Sequence, residues 1–318
     1  MTGNISNVYA GIDAGTASSK LAYSDNLSTR IIARADGSDF ITLREEAEIF
    51  FDEPLFSCVI AVNDSLTQRQ LDTLKAKAVS SGFRNVDFIG QFQAMSLALD
   101  DESRTLFCDF GASGFRVAVI EADDVIDVDY VDVGGDLFDK LFAEYLCELR
   151  MTKFSPEILK EAKRIKHILS DNNSRLWHNI NIQRNDFERL IYFPAKRTFH
   201  TVNKLLRVWK PSRFILTGGC SEIPIVREIF KGAEVLPDII AKGAGLKAKS
   251  LSKLQAKRNI ADNISRIRAL RAEILSVEDI LTRQQKDRIY LLFKQAEGSN
   301  DNGIITLMEN LLHEIKYA

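Results

Sequence analysis

Up to Gly245 the chain alternates short apolar runs with stretches of helical period, and beyond Lys247 only the helical period remains. An apolar run at 58–62 predicts a buried strand, and 86–89 predicts a second, shorter one. The segments 65–81, with Leu71, Leu74 and Ala78 on one face, and 91–99 predict helices. Such a β-α-β-α succession packs helices on a sheet, so an α/β unit with a mixed sheet is expected. Farther on, a strand ends at the Gly134-Gly135 turn and a helix follows at 137–150. The next helix, 155–170, opens on Ser155-Pro156-Glu157, a cap residue followed by proline in the first turn. A strand at 180–182, a helix at 185–206, a strand leading into Gly218-Gly219 and a helix at 223–230 complete this part. The tail predicts helices at 250–272, 276–297 and 303–316, with Ser276 and Asp279 as a capping box for the second.

A repeat underlies the first half. Gly11-Ile-Asp-Ala-Gly-Thr-Ala-Ser-Ser-Lys-Leu-Ala22 and Phe107-Cys-Asp-Phe-Gly-Ala-Ser-Gly-Phe-Arg-Val-Ala118 align at a constant offset of 96 residues. In each, an apolar strand runs into Asp-x-Gly, small residues, a basic residue and a second apolar strand, which predicts a tight β-hairpin. Small residues let consecutive backbone N–H groups approach a phosphate, and a strand-end aspartate can face a hydrated divalent cation. Asp13 and Asp109 are therefore candidates for a carboxylate pair facing Mg2+ through water, the other reading being two turn-capping aspartates. The duplication in register favours the first.

Composition narrows the class. Of 318 residues, 45% are hydrophobic and 27% charged, enough apolar content for a core and too much for a disordered chain. No long apolar run predicts a membrane span, and Met1–Asn7 lacks the basic and apolar regions of a signal peptide, so a cytoplasmic protein is expected. Cys58, Cys108, Cys147 and Cys220 are far apart and fit neither a disulfide framework nor a zinc site, and His178, His200 and His313 have no ligand spacing. Net charge is -2, yet residues 246–318 carry thirteen Lys and Arg against nine Asp and Glu. The first tail helix is basic but amphipathic and without aromatic interleaving, which argues for a protein partner rather than nucleic acid.

The three glycine turns, in this order and over residues 8–248, resemble the actin-like ATPase superfamily, and most closely the nucleotide-binding domain of the seventy-kilodalton heat-shock chaperones. The resemblance implies a two-lobed actin-like fold of duplicated ribonuclease H-like lobes with a C-terminal all-helical extension. The division expected is 8–132 for lobe I with both hairpins, 133–248 for lobe II with the adenosine loop, and 249–318 for the helical extension. It also implies binding of ATP or ADP with Mg2+. On that alignment Asp13, Gly15, Thr16 and Ala17 belong to the first phosphate loop and Asp109, Gly111, Ala112 and Ser113 to the second. Gly134-Gly135-Asp136-Leu137-Phe138-Asp139 matches a connecting element, Gly218, Gly219 and Cys220 the adenosine loop, and Asp238 the segment closing under the base. Lys166, His167 and Ser170 would flank base and ribose, with Lys163 where the family has an acidic residue.

The chain departs from that pattern at catalytic positions. Only Asp25–Pro54 fills the interval where the chaperones insert a subdomain carrying a lysine for the γ-phosphate, and Lys20 is the one lysine nearby. Gln91 stands in place of a glutamate and Gly114 in place of a threonine. Gln91 keeps the role of orienting water that a glutamine has in actins, or is a plain polar helix start. The chaperones' β-sandwich substrate domain has no counterpart in the helical tail. The expected function is a chaperone-like ATP-binding switch with slow or absent hydrolysis, signalling to a protein partner through the tail. A non-hydrolysing scaffold and a filament-forming or otherwise homo-oligomeric actin-like protein are the alternatives, and a small-molecule kinase lacks an identifiable catalytic aspartate.

Overall fold

A computed structural model describes residues 8–122, 124–276, 281–298 and 302–317. They form two compact units, Tyr9–Lys249 and one containing Ser250 onward. Met1–Asn7 lies outside the described residues.

Two five-stranded sheets make up the first unit. The first is built from β1 (Tyr9–Ala14), β2 (Ser18–Ser24), β3 (Thr29–Asp36), β4 (Ser57–Val62) and β5 (Asn85–Gly90), in the order β3-β2-β1-β4-β5. The second is built from β6 (Thr105–Phe110), β7 (Phe115–Glu121), β8 (Asp124–Val131), β11 (Arg213–Thr217) and β12 (Glu234–Val235), in the order β12-β11-β6-β7-β8. Read from the hairpin outward, these are the same arrangement. β1 is antiparallel to β2 and parallel to β4, as β6 is antiparallel to β7 and parallel to β11. This is the mixed α/β, two-lobed architecture of the actin-like ATPases. Every residue of β4 and β6 is buried, as expected of central strands covered on both faces.

The chain passes between sheets within 91–104, mostly as helix α3 (Gln91–Leu99). The second hairpin therefore belongs to the second sheet, since β6 pairs only with β7 and β11. This corrects the 8–132 division, which grouped both hairpins in lobe I.

Helix α1 (Phe40–Phe51) follows β3 and is capped by Asp39, whose Oδ1 accepts the Ile41 and Thr42 N–H groups at 3.1 Å each. α2 (Gln68–Ser80) joins β4 to β5. Between β8 and β11 run α4 (Gly135–Arg150), α5 (Pro156–Asp171), the short hairpin β9 (Ser174–Trp177) and β10 (Ile180–Gln183), and α6 (Arg184–Trp209). The core there is aromatic, with the Phe110 ring 5.2 Å from Phe115, 5.6 Å from Phe138 and 6.0 Å from Phe230 between centroids. A 3-10 turn (Gly219–Glu222) and α7 (Pro224–Ile229) separate β11 from β12.

Helix α8 (Ile239–Ser276) starts on the first sheet. Its small residues set the distance, for a Cβ added to Gly11 would lie 2.0 Å from the Gly245 nitrogen, and one added to Gly243 would lie 1.8 Å from the Ala94 carbonyl oxygen. Both neighbours are backbone, so neither can swing aside. Gly243→Ala should destabilise the protein by about 2 kcal/mol, overpacking outweighing the gain in helix propensity. A urea midpoint equal to wild type would show that α8 does not pack this closely on α3.

In the second unit the later part of α8 packs with α9 (Arg283–Gly298) and α10 (Asn302–Tyr317) around Leu270, Ile289, Phe293, Ile305, Met308 and Leu312. Arg266 and Glu309 form a two-pronged ion pair at 2.9 and 2.7 Å. α8 runs on through Ser276, so that residue lies within a helix it does not open, its hydroxyl donating to the Glu273 carbonyl at 2.6 Å. Asp279 lies outside the described residues. The box that opens α9 is Thr282 with Gln285, each side chain accepting the other's backbone N–H, at 2.9 and 3.3 Å.

Candidate functional site

The two hairpins bring their aspartates together. In β1 and β2, Asp13 stands directly opposite Lys20; in β6 and β7, Asp109 stands directly opposite Arg116. The repeat therefore duplicates a carboxylate together with a cation across from it. Burial and then the neighbouring Asp109 push the Asp13 carboxyl up to about 7. Burial also raises Asp109, while Arg116, with Nη1 3.5 Å from Oδ2, and Lys20 pull it back.

Each cation has further work. Lys20 donates from Nζ to the Pro237 carbonyl at 2.6 Å and lies 2.9 Å from Asp238 Oδ1. Arg34 Nη2 reaches both Asp238 oxygens, at 3.1 and 3.2 Å. Burial raises Asp238, but these partners outweigh it and hold the carboxyl below its ordinary value. Asp238 is thus committed to Lys20 and Arg34. Arg116 donates from Nη1 to Gln91 Oε1 at 3.4 Å, so the first residue of α3 is fastened to the second hairpin. Asp64 caps the same helix start, its Oδ2 accepting the Phe92 N–H at 3.4 Å.

The second loop is fixed through its carbonyls. The first N–H groups of α4, from Gly135 and Asp136, donate to Gly111 at 3.0 Å and Ala112 at 2.9 Å. An anion would meet the opposite kind of group, the loop amides. In the first loop Gly15 and Ala17 are half-buried and Thr16 is exposed; in the second Gly111 and Ala112 are half-buried and Ser113 is exposed. A Cβ on Gly114 would lie 2.6 Å from the Tyr130 ring. Tyr130, whose hydroxyl donates to the Ser113 carbonyl at 3.4 Å, thus fills the place that a threonine side chain would need.

Gly218 joins this floor with φ at +85°, and a Cβ there would lie 2.4 Å from the Phe110 oxygen and 2.6 Å from Asp109 Oδ1. Gly219 is the opposite case, with nothing within 4 Å of an added Cβ. The buried Cys220 thiol donates to the Gly111 carbonyl at 3.5 Å, and burial pushes it up to about 12. Gly135 is set between them, an added Cβ lying 3.2 Å from Cys220 Sγ and 3.4 Å from Lys166 Nζ.

Lys166 is buried and paired with Asp139, Nζ to Oδ1 2.6 Å. The Ser170 hydroxyl donates to the Lys166 carbonyl of its own helix at 3.2 Å. Lys166, Ser170 and Asp238 thus each engage protein partners. Partial desolvation and then the adjacent Lys166 lower His167, whose side chain is exposed on α5. Sequence places Asp139 in the connecting element without its partner Lys166 and says nothing of Arg34; Arg116 carries a signal, since it aligns with Lys20 at the repeat offset.

A resident divalent cation fits this donor set poorly. The two aspartates are countered by Lys20 and Arg116 in register, so a divalent cation facing them would also face two positive charges. A nucleotide fits better, because the open Gly219 leaves space for a sugar or phosphate beside hairpins whose turns carry only small residues.

Comparison with known proteins agrees. The chaperone protein HscA homolog of Rickettsia prowazekii (strain Madrid E) is 27% identical over 240 residues, covering 69% of this chain and 40% of that protein. HscA of Buchnera aphidicola subsp. Schizaphis graminum is 25% identical over 244 residues, covering 66% and 40%. The chaperone protein dnaK1 of Synechococcus elongatus is 26% identical over 259 residues, covering 65% and 39%. The chain thus spans about two fifths of the length of the curated relatives it matches. The sequence profile described as Hsp70 protein matches residues 39–285, most of the chain, and with both sheets and all three glycine turns in family order this chain belongs to the Hsp70 family.

Proposed function

We propose that this chain is a nucleotide-binding switch of chaperone type, taking ATP or ADP between its two sheets. The observation that carries this reading is the convergence of both Asp-x-Gly hairpins with Gly218 and the open Gly219. Gly15, Thr16 and Ala17 with Ala112 and Ser113 would supply N–H groups to the phosphates, the Gly111 N–H being held by the Gly114 carbonyl at 3.0 Å, and Gly218, Gly219 and Cys220 would border the adenosine. Since the hairpins belong to different sheets, a phosphate held by both would favour the closed arrangement. The relatives' names support a chaperone role. The basic tail helix supports a protein partner for the helical extension. No described helix is long and apolar enough to cross a membrane.

Hydrolysis is expected to be slow or absent. Gln91, the candidate for orienting water, is engaged by Arg116, and Tyr130 fills the threonine's place. These two contacts also favour the second reading, a scaffold that binds nucleotide without turning it over.

Gly219→Leu provides the test. Its side chain would enter open space at a backbone conformation that leucine tolerates, so the Tm should stay close to wild type while the Kd for ADP rises about tenfold or more. Unchanged affinity in a folded variant would sink this placement of the nucleotide. Turnover measured on the unmodified protein separates switch from scaffold.

A further inference from the structure

We propose that Lys20 stands in for the divalent cation, so that this chain binds nucleotide without a metal requirement. The inference rests on the nucleotide-binding reading above and concerns how charge is balanced within that same site.

The lysine is placed by register, as the direct cross-strand partner of Asp13. The second hairpin repeats the device with Arg116 opposite Asp109. Two permanent positive charges thus stand opposite the two carboxylates that would otherwise attract a hydrated cation. Lys20 is also anchored from behind, by the Pro237 carbonyl at 2.6 Å and Asp238 Oδ1 at 2.9 Å. An ammonium has three donors, and these contacts use two, leaving one N–H for a phosphate oxygen. Its side chain is only 14% exposed, so the charge acts in a partly water-excluded setting where it counts for more than on the surface.

A divalent cation in such a cleft neutralises phosphate charge and draws the two halves onto one ligand. A tethered ammonium does both with no dissociable part. It lies on the first sheet, and its anchors lie in the segment between the second sheet and α8. Bringing a divalent ion beside it would add charge next to charge.

The test is ADP affinity by calorimetry, in Mg2+ and in EDTA, for wild type and Lys20→Ala. Wild-type Kd should differ by less than about threefold between buffers, whereas Lys20→Ala should bind at least about tenfold more weakly in EDTA than in Mg2+. Lys20→Arg, which keeps the charge, should retain the wild-type insensitivity and guards against misfolding of the alanine variant. A wild-type loss of about tenfold or more in EDTA would overturn the inference while leaving the nucleotide-binding reading intact. Equal binding of a folded Lys20→Ala in both buffers would overturn it too. Absence of binding in either buffer overturns both readings together.

Discussion

Replacing Asp13 with asparagine should stabilise the protein at pH 8 by about 2 kcal/mol and change little at pH 4, part of the effect of the raised carboxyl being screened by solvent. The unfolded carboxyl titrates near 3.8, whereas burial and then Asp109 push the folded one up to about 7. Between those values the native state holds the proton more tightly than the unfolded chain. The contribution is fully present below about pH 4 and is lost as pH rises through about 7, where the native protein must ionise a half-buried acid beside a second, buried one. Asparagine keeps the size and cannot ionise, so the variant's urea midpoint should show a flatter profile over that window. Coincident profiles for variant and wild type would mean that Asp13 is solvated. The same substitution in a phosphate site would relieve repulsion of the anion, so nucleotide affinity measured in parallel reports on function independently of stability.

Lys166→Ala should cost about 4 kcal/mol, because it leaves Asp139 buried without its cation. The pair is short, 2.6 Å, and its side chains are 9% and 7% exposed, so little water can compensate. The double variant Lys166→Met with Asp139→Leu should recover most of that loss, since a buried pair of charges replaced by apolar groups is often close to neutral. Urea unfolding of the two single variants and the double variant completes the cycle. A single variant as stable as wild type would show that the pair does not form. Retained nucleotide affinity in the double variant would place Lys166 in the framework under Gly135 and Cys220 rather than against the base.

The legible features were those whose signal is local. α3 is legible to the residue because Gly90 precedes its apolar positions and Asp100-Asp101 follows them, Asp100 being left-handed in the structure. Both hairpins announced themselves through apolar strands around small residues. β3, β9 and β12 carry no such signal. β3 and β9 are half-exposed edge or hairpin strands carrying Arg30, Arg34 and Arg175, and β12 has two residues. Ser276-x-x-Asp279 and Thr282-x-x-Gln285 both satisfy the capping pattern, and only the continuation of α8 decides between them. In the site, the glycine turns could be read from sequence, but the partners of Lys166 and Asp238 could not. Asp139 and Lys166 meet through the packing of α4 on α5, and Lys20 and Asp238 through the passage into α8, contacts that no local pattern encodes.

All four thiols are buried, and burial raises Cys58, Cys108 and Cys220 well away from the range in which a thiolate forms at neutral pH. Maleimide chemistry on the native protein would therefore find almost nothing to attack. A cysteine introduced at Leu27, 95% exposed beside the first sheet, and another at Leu176, 64% exposed on β9 of the second lobe, would be the reactive pair without removing any natural one. The thiols sealed into the two lobes thus leave the surface chemically silent, and a dye pair on that background would test the proposed closure as a change in energy transfer on adding nucleotide.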